Sequence, residues 1–165
     1  MIFVFILDST SFVFVDESGF RSYYCRIMAR AKRGVKIHAT RPGKKSKLTN
    51  IVARLLYQNE HKKHIAVQCY NHSTKSGFFE DWFEWQLLAE VPEGAVIIMD
   101  NASFHRKNQL YKIAERYGVH IVFLPPYSPE FNKIECSFAA AKKWLKYNLN
   151  RFPNIEMALE YYFCY

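Results

Sequence analysis

The apolar run from Ala95 to Met99 constrains the fold of this chain more than any other segment. Its sequence, AVIIM, is bounded by the turn sequence Pro92-Glu93-Gly94 on one side and by Asp100 on the other. A short continuous apolar run of this kind is typical of a central strand that is buried on both faces of its sheet. Such a strand needs helices above and below it, so the run indicates an α/β fold.

The remaining segments predict the order of the elements. Predicted strands cover residues 12–15, 35–40, 64–69, 95–99 and 120–124, and predicted helices cover 77–91 (with Thr74 as its cap), 107–117 and a region that begins near Ile134. Three strands that can pair antiparallel therefore precede an alternation of helix and strand, which predicts a mixed β-sheet flanked by helices. A chain of 165 residues without a visible linker or repeat is expected to form one domain over residues 1–165.

The basic residues are concentrated in one part of the chain. The formal net charge is +8, and residues 21–63 hold thirteen Lys and Arg against one acid, Glu60. A charge run is usually a solvated face, but a bias of this size favours a surface that faces phosphate groups.

The cysteines and the apolar N-terminus argue against several classes of protein. The four cysteines form no Cys-x-x-Cys pair, which excludes a zinc knuckle or redox pair of that type, and we expect reduced thiols in a cytosol. The opening run MIFVFIL is interrupted by Asp8 and lacks a basic region. We therefore expect neither a secretory signal nor a membrane helix, and no membrane partner.

Three acids stand where chemistry can occur. Asp16 follows the apolar strand FVFV, Asp100 follows AVIIM, and Glu135 opens a helix after the stiff loop PPYSPEFN. Each acid alone would be read as a turn residue or a helix-dipole partner. If all three converge, their mutual repulsion is about 10 kcal/mol at an effective dielectric near 20, so the cluster needs cations. An all-oxygen cluster suits Mg²⁺ or Mn²⁺, and two such ions can promote phosphodiester displacement.

Four segments of the chain carry a family resemblance. They are VFVDESGF (13–20), RGVKIHATRPGKKSKLTNIVARL (33–55), VIIMDNASFHRKNQL (96–110) and FLPPYSPEFNKIE (123–135). Together they resemble the DDE transposases of bacterial insertion sequences, which are relatives of the mariner superfamily with a ribonuclease-H-like catalytic core. Thirty-four residues lie between Asp100 and Glu135, the spacing that this branch shows.

The resemblance implies a site and a reaction. It implies that Asp16, Asp100 and Glu135 are catalytic and hold Mg²⁺ or Mn²⁺, with two ions expected. It implies hydrolysis of the phosphodiester at the ends of a transposon and attack of the freed 3′-OH on target DNA, with no covalent enzyme intermediate. The implied partners are double-stranded DNA and a second copy of the chain. Lys133 stands where the family usually has proline, so the entry to the Glu135 helix is loosened or Lys133 contacts phosphate.

Several residues are expected to support the acids. We interpret Asn101, His105 and Asn132 as residues that orient the catalytic carboxylates, with turn formation and helix capping as the alternative roles of the first two. Glu17 follows Asp16, and strand alternation sends it to the opposite face, where we expect a surface or salt-bridged residue. Trp82, Phe83, Trp85, Leu87 and Leu88 crowd one helix and are expected to pack in the core or in a dimer.

The candidate contacts to the DNA backbone are all cations. They are Arg41, Lys44, Lys45 and Lys47 on one predicted turn, Lys133 beside Glu135, and Lys142 and Lys146 on the last helix. The alternative for each is a lysine or arginine that faces solvent.

Transposases of this group carry helix-turn-helix modules before the catalytic core, and such a module is expected to be absent here. Fifteen residues precede Asp16, too few for one. Two origins stay open: the second reading frame of a split gene, whose N-terminal half comes from another frame, or a decayed remnant. The alternative functions are an inactive DNA-binding remnant and a stand-alone ribonuclease-H-like nuclease. The expected location is the bacterial cytoplasm, at the nucleoid.

Overall fold

The computed structural model describes residues 11–21, 32–36, 48–58, 61–126 and 128–164. Its strands are β1 (Phe12–Arg21), β2 (Leu48–Gln58), β3 (His61–Tyr70), β4 (Val96–Met99) and β5 (His120–Phe123). Its α-helices are α1 (Ser76–Trp82), α2 (Lys107–Arg116), α3 (Ile134–Asn148) and α4 (Ile155–Cys164). A π-helical turn, Phe83–Leu87, continues α1, and short 3₁₀ turns cover Pro129–Phe131 and Leu149–Arg151.

The five strands form one mixed sheet in the order β3-β2-β1-β4-β5. β1 pairs antiparallel with β2, and β2 with β3. β1 pairs parallel with β4, and β4 with β5, because α1 and α2 supply the crossovers that parallel strands need. The predicted mixed sheet flanked by helices is confirmed.

Alternation along β1 divides the interior into two cores. Val13 and Val15 point into a core that includes residues of α1 and α2, whereas Phe14 and Phe20 point into a core that includes residues of α3 and α4. Both faces of the sheet are therefore covered, and successive residues of β1 pack on opposite faces.

Two strand predictions need correction. β1 does not end at Val15 but continues through Asp16 to Arg21. After β1, the next described strand is Leu48–Gln58, which the sequence patterns did not predict. Of the predicted strand 35–40, Val35 and Lys36 lie outside any strand, and residues 37–40 lie outside the described part of the chain.

The predicted helix 77–91 is shorter than expected. It begins at Ser76, and its helical turns end at Leu87 because the chain bends before Pro92. Thr74 is not its cap, since Lys75 holds that position without a side-chain hydrogen bond and the Thr74 hydroxyl pairs with that of Tyr70 at 2.7 Å. Among the described residues, no helix is both long and apolar enough to cross a bilayer.

Candidate active site

The sheet register brings the two predicted aspartates side by side. The parallel pairing of β1 with β4 ends at Val15 opposite Met99. Asp16 and Asp100 are the next residues of the two strands, so they leave the last parallel pair together at the carboxyl end of β4. This is the edge at which open α/β sheets place their ligands.

Helix α3 places the third acid beside them. Ile134 and Phe138 are buried in the core beneath β1, which fixes the first turn of α3, where Glu135 lies. The side-chain N–H of Asn132 donates to the backbone carbonyl of Val15 at 3.2 Å, and the backbone N–H of Glu135 donates to the Asn132 carbonyl at 3.1 Å. The segment before α3 is therefore fastened to β1 next to Asp16.

The three acids open onto one cavity. The cavity measures about 390 Å³ and is lined by Asp16, Asp100, Asn101, Leu124, Pro125, Pro126, Ser128, Asn132 and Glu135. Asp16 is buried at 9% exposure, whereas the Asp100 side chain is 48% exposed. The cavity thus has a buried carboxylate at its base and a more exposed one on its side, and the predicted Asn101 and Asn132 line the same space.

The position of Asp16 is electrostatically costly. Burial, together with the negative charges of Glu17, Glu135 and Asp100, raises the pKa of Asp16 to about 8, although the hydrogen bond from the Glu17 backbone N–H opposes the rise. That N–H lies 2.8 Å from Asp16 Oδ1. Carboxylate oxygens crowded in this way are the donor set that a hard divalent cation prefers, so Asp16, Asp100 and Glu135 fit such an ion.

A buried histidine lies behind Asp100. The Nδ1 atom of His105 lies 3.3 Å from the Asp100 carbonyl oxygen and 3.6 Å from its Oδ1, and Nε2 lies 3.6 Å from Glu17 Oε1. His105 does not cap α2, whose cap position is Arg106. His105 thus contacts Asp100, and its orienting role stays a prediction.

Glu17 lies away from the surface, beside a histidine. Its side chain is on the face opposite Asp16, as alternation predicts, and it is 14% exposed and lies 3.6 Å from His105 Nε2, so of the two expected environments the ion-paired one agrees with the structure and the surface one does not. Burial raises the pKa of Glu17, and the contact with His105 opposes that rise. Ligand atoms of Glu17, Asp100 and His105 lie within 4.8 Å of one another. The signal that could have revealed this was the apolar face of β1 to which alternation assigns Glu17.

Sequence comparison identifies the family of the chain. The family model described as DDE superfamily endonuclease matches residues 11–157. The chain belongs to this DDE endonuclease superfamily. No curated protein matches the chain by sequence.

Solved structures share the fold of this DDE endonuclease domain. The Mos1 transposase paired-end complex with left transposon end has a TM-score of 0.71 at 18% identity, over 93% of this chain and 47% of that chain. The Mos1 mariner paired-end complex with Mn has a TM-score of 0.70 at 17% identity, over 93% and 48%. A simian T-cell lymphotropic virus intasome, in complex with PP2A regulatory subunit B56 gamma, has a TM-score of 0.55 at 11% identity, over 95% and 48%. This chain spans about half the length of each.

The candidate DNA contacts of the DDE endonuclease domain have different environments. The Lys142 ammonium donates to Ser18 Oγ at 2.8 Å and lies 5.3 Å from the centre of the Phe20 ring, so it is already engaged by β1. Lys133 and Lys146 are exposed. The remaining candidates, Arg41, Lys44, Lys45 and Lys47, lie outside the described residues.

The aromatic helix contributes mainly to the core. Trp82, Phe83, Leu87 and Leu88 are buried, whereas Trp85 is 69% exposed. The expectation of core packing therefore holds for all but Trp85.

Proposed function

We propose that this chain is the catalytic domain of a transposase of the bacterial insertion-sequence type. Its reactions are hydrolysis of a DNA phosphodiester at the ends of a transposon and transfer of the freed 3′-OH to target DNA. The observation that carries the proposal is that Asp16, Asp100 and Glu135 line one cavity in a chain of the DDE endonuclease superfamily. The Mos1 neighbours, which are transposase complexes with transposon ends, support it.

The three acids are the proposed ligands of two Mg²⁺ or Mn²⁺ ions. When bound, such ions activate the attacking oxygen and stabilise the leaving oxygen of an in-line displacement. Burial and the neighbouring acids, which together raise the pKa of Asp16 to about 8, make a cation at this position favourable. The Mos1 complex with Mn supports the same class of ion.

Other residues of the chain prepare the cavity for this chemistry. The Asn132 bond to Val15 fixes the start of α3, and so the position of Glu135 relative to Asp16. Leu124, Pro125 and Pro126 add apolar surface to the lining of the same cavity. No side-chain nucleophile takes part, because water and then the DNA 3′-OH supply the attacking oxygen.

The proposed partner is double-stranded DNA, held by its backbone. The proposed phosphate contacts are Lys133 just before α3, Lys146 on α3, and the predicted turn with Arg41, Lys44, Lys45 and Lys47. Lys142 joins these phosphate contacts only if its hydrogen bond to Ser18 breaks when DNA binds. A homodimer, an N-terminal half from another reading frame and a location at the nucleoid in the bacterial cytoplasm complete the proposal, and Mos1 paired-end complexes support the joining of two ends.

A nicking assay tests the proposal. The full chain is incubated with end-labelled duplex DNA and with an RNA–DNA hybrid, in Mg²⁺ and in Mn²⁺. We expect the wild type to nick duplex DNA, folded Asp100→Asn to lose nicking, and Glu115→Gln on the exposed face of α2 to keep it. Nicking by folded Asp100→Asn would overturn the site. Duplex binding without cleavage in either ion would favour an inactive remnant, and cleavage of the hybrid alone a ribonuclease-H-like nuclease.

A further inference from the structure

Glu17 and His105, whose side chains are 14% and 1% exposed, lie on the face of the sheet opposite Asp16. We propose that Glu17 is a positioning residue that acts through the His105 ring to hold the carboxylate of Asp100. The inference rests on the proposed function, because it takes Asp100 to be a metal ligand. Glu17 lies outside the set of Asp16, Asp100 and Glu135.

The His105 ring is held by aromatic packing. Its side chain is 1% exposed, and its centroid lies 4.4 Å from those of Phe79 and Phe104 and 6.2 Å from that of Phe123. These rings come from α1, from the loop before α2 and from β5. They restrict sliding and tilting of the imidazole, but apolar contacts alone do not decide which ring edge faces Asp100.

Polar contacts at the two ring edges decide that orientation. Nδ1 faces the Asp100 carbonyl oxygen at 3.3 Å and Oδ1 at 3.6 Å, and Nε2 faces Glu17 Oε1 at 3.6 Å. Oxygens of Asp100 only accept, so Nδ1 carries a proton and donates to them. Turning the ring over would take both nitrogens away from their oxygens.

The same contacts indicate that His105 supports the Asp100 side chain and does not bind a metal ion itself. A histidine offers an ion one nitrogen, and the two ring nitrogens point in diverging directions. Here each nitrogen already faces a different residue, so one ion bound to His105 would not sit squarely between Glu17 and Asp100. The ring instead bridges the two carboxylates, in the way that outer partners hold the ligands of a metal.

Burial leaves Glu17 and His105 dependent on each other. Glu17 Oε1 and His105 Nε2 are both shielded from solvent, and neither has a hydrogen-bond partner within the described residues. Buried polar atoms of this kind are costly unless paired, and 3.6 Å is slightly longer than a hydrogen bond. A small shift of either side chain, with one proton held between Nε2 and Oε1, joins them by a hydrogen bond. That bond completes the connection from Glu17 through His105 to Asp100.

Metal binding tests the inference without depending on catalysis. Mn²⁺ affinity of the full chain is measured by calorimetry and by the resonance of free Mn²⁺, with folding checked by thermal melting. The variants are Glu17→Ala, Glu17→Gln, His105→Phe and the double variant Glu17→Ala/His105→Phe. His105→Phe keeps a ring packed among Phe79, Phe104 and Phe123, and it removes both nitrogens. Glu115→Gln is the control for loss of one acid.

A positioning role predicts a specific pattern. Glu17→Ala weakens Mn²⁺ binding roughly 10- to 100-fold, the usual effect of losing an outer partner of a ligand. Glu17→Gln, whose amide still pairs with the ring, recovers most of that loss. The double variant binds no more weakly than His105→Phe alone, because Glu17 acts only through the ring.

Three results would overturn the inference. Unchanged affinity in Glu17→Ala would remove any role for the residue. Equal losses in Glu17→Gln and Glu17→Ala, with a further loss in the double variant, would make Glu17 a direct ligand. Wild-type chain that binds no Mn²⁺ at millimolar concentration would overturn the proposed metal site itself, and this inference with it.

Discussion

Asn132 fastens the segment that carries Glu135 to the strand that carries Asp16. Its side-chain N–H donates to the Val15 carbonyl at 3.2 Å, across 117 positions of sequence. The amide is 3% exposed, so water does not compete for the bond. One buried hydrogen bond thus links two acids that the chain itself holds far apart.

Replacing Asn132 should impair catalysis more than folding. Asn132→Ala removes the bond to Val15, which should cost about 1 kcal/mol in the free energy of unfolding. Nicking should fall further than this, because Glu135 loses its fixed distance from Asp16. Urea denaturation and the nicking rate measure the two effects. Asn148→Ala is the matched control, since that amide donates to Trp144 O at 3.0 Å within α3; equal nicking losses in both variants would contradict the role.

The raised pKa of Asp16 predicts how stability without metal changes with pH. The pKa rises from 3.8 unfolded to about 8 folded, so the folded state holds the extra proton between these values. Unfolding then releases a proton, and the free energy of unfolding falls as pH increases from about 4 to 8, by at most about 1.4 kcal/mol per pH unit. Below pH 4 and above pH 8 this contribution is constant.

Asp16→Asn isolates that contribution. We expect urea denaturation in EDTA to show the wild type losing stability relative to Asp16→Asn between pH 5 and pH 8. Added Mg²⁺ or Mn²⁺ at pH 7.5 should restore the wild type alone, because the ion binds only the folded state with its full set of acids. Parallel pH curves for the two proteins would be inconsistent with a buried, protonated Asp16.

Arg54 should be essential for the stability of the α1 side of the molecule. It is fully buried in β2, and it donates to the Leu87 carbonyl at 2.6 Å and to Glu90 Oε2 at 2.5 Å. Arg54→Met leaves the Leu87 carbonyl without this donor, so we expect a loss of about 2 kcal/mol in the free energy of unfolding.

The matched control for Arg54 is Arg116, which pairs with Glu84 at 2.6 Å but is 59% exposed. Arg116→Met should cost less than about 1 kcal/mol, as exposed ion pairs do. Equal shifts of the urea midpoint for the two variants would show that burial does not determine how much the Arg54 contacts contribute to the free energy of unfolding.

Lys133 should contribute to DNA affinity through charge alone. It is exposed beside Glu135, so Lys133→Ala should weaken duplex binding for every sequence and reduce the slope of log K against log salt by about 1. Fluorescence anisotropy at several salt concentrations measures this slope. Lys112→Ala, on the exposed side of α2, should leave it unchanged, and a matching change there would mean that net charge rather than position matters.

Short segments with strong boundaries were predictable from sequence. β4 and β5 are apolar runs between turn residues, and α2 ends where Gly118 adopts a φ of 63° that favours glycine. The place of Asp100 and Glu135 in one cavity followed from their positions at the ends of such elements. Local signals suffice when an element begins and ends within a few residues of a turn.

Elements buried on both faces were harder to predict. In β2, Ile51 and Leu55 face one core and Val52 faces the other, so apolar residues do not alternate with polar ones. Arg54 lies in their midst and is completely buried, with partners on the π-helical turn and beyond it. Such long-range contacts leave no local pattern, and the same reason hid the pairing of Glu17 with His105.

Asp16 lies in the middle of β1, opposite Ala53 of β2, and the two residues before it, Phe14 and Val15, belong to different cores. A shift of β1 by one residue would exchange the side chains that face the two cores, and it would place Asp16 among aromatic rings. No register of β1 keeps the packing of both cores and at the same time misplaces the Asp16 carboxylate. The register that forms the sheet therefore also places Asp16, and an error in that register would displace the carboxylate.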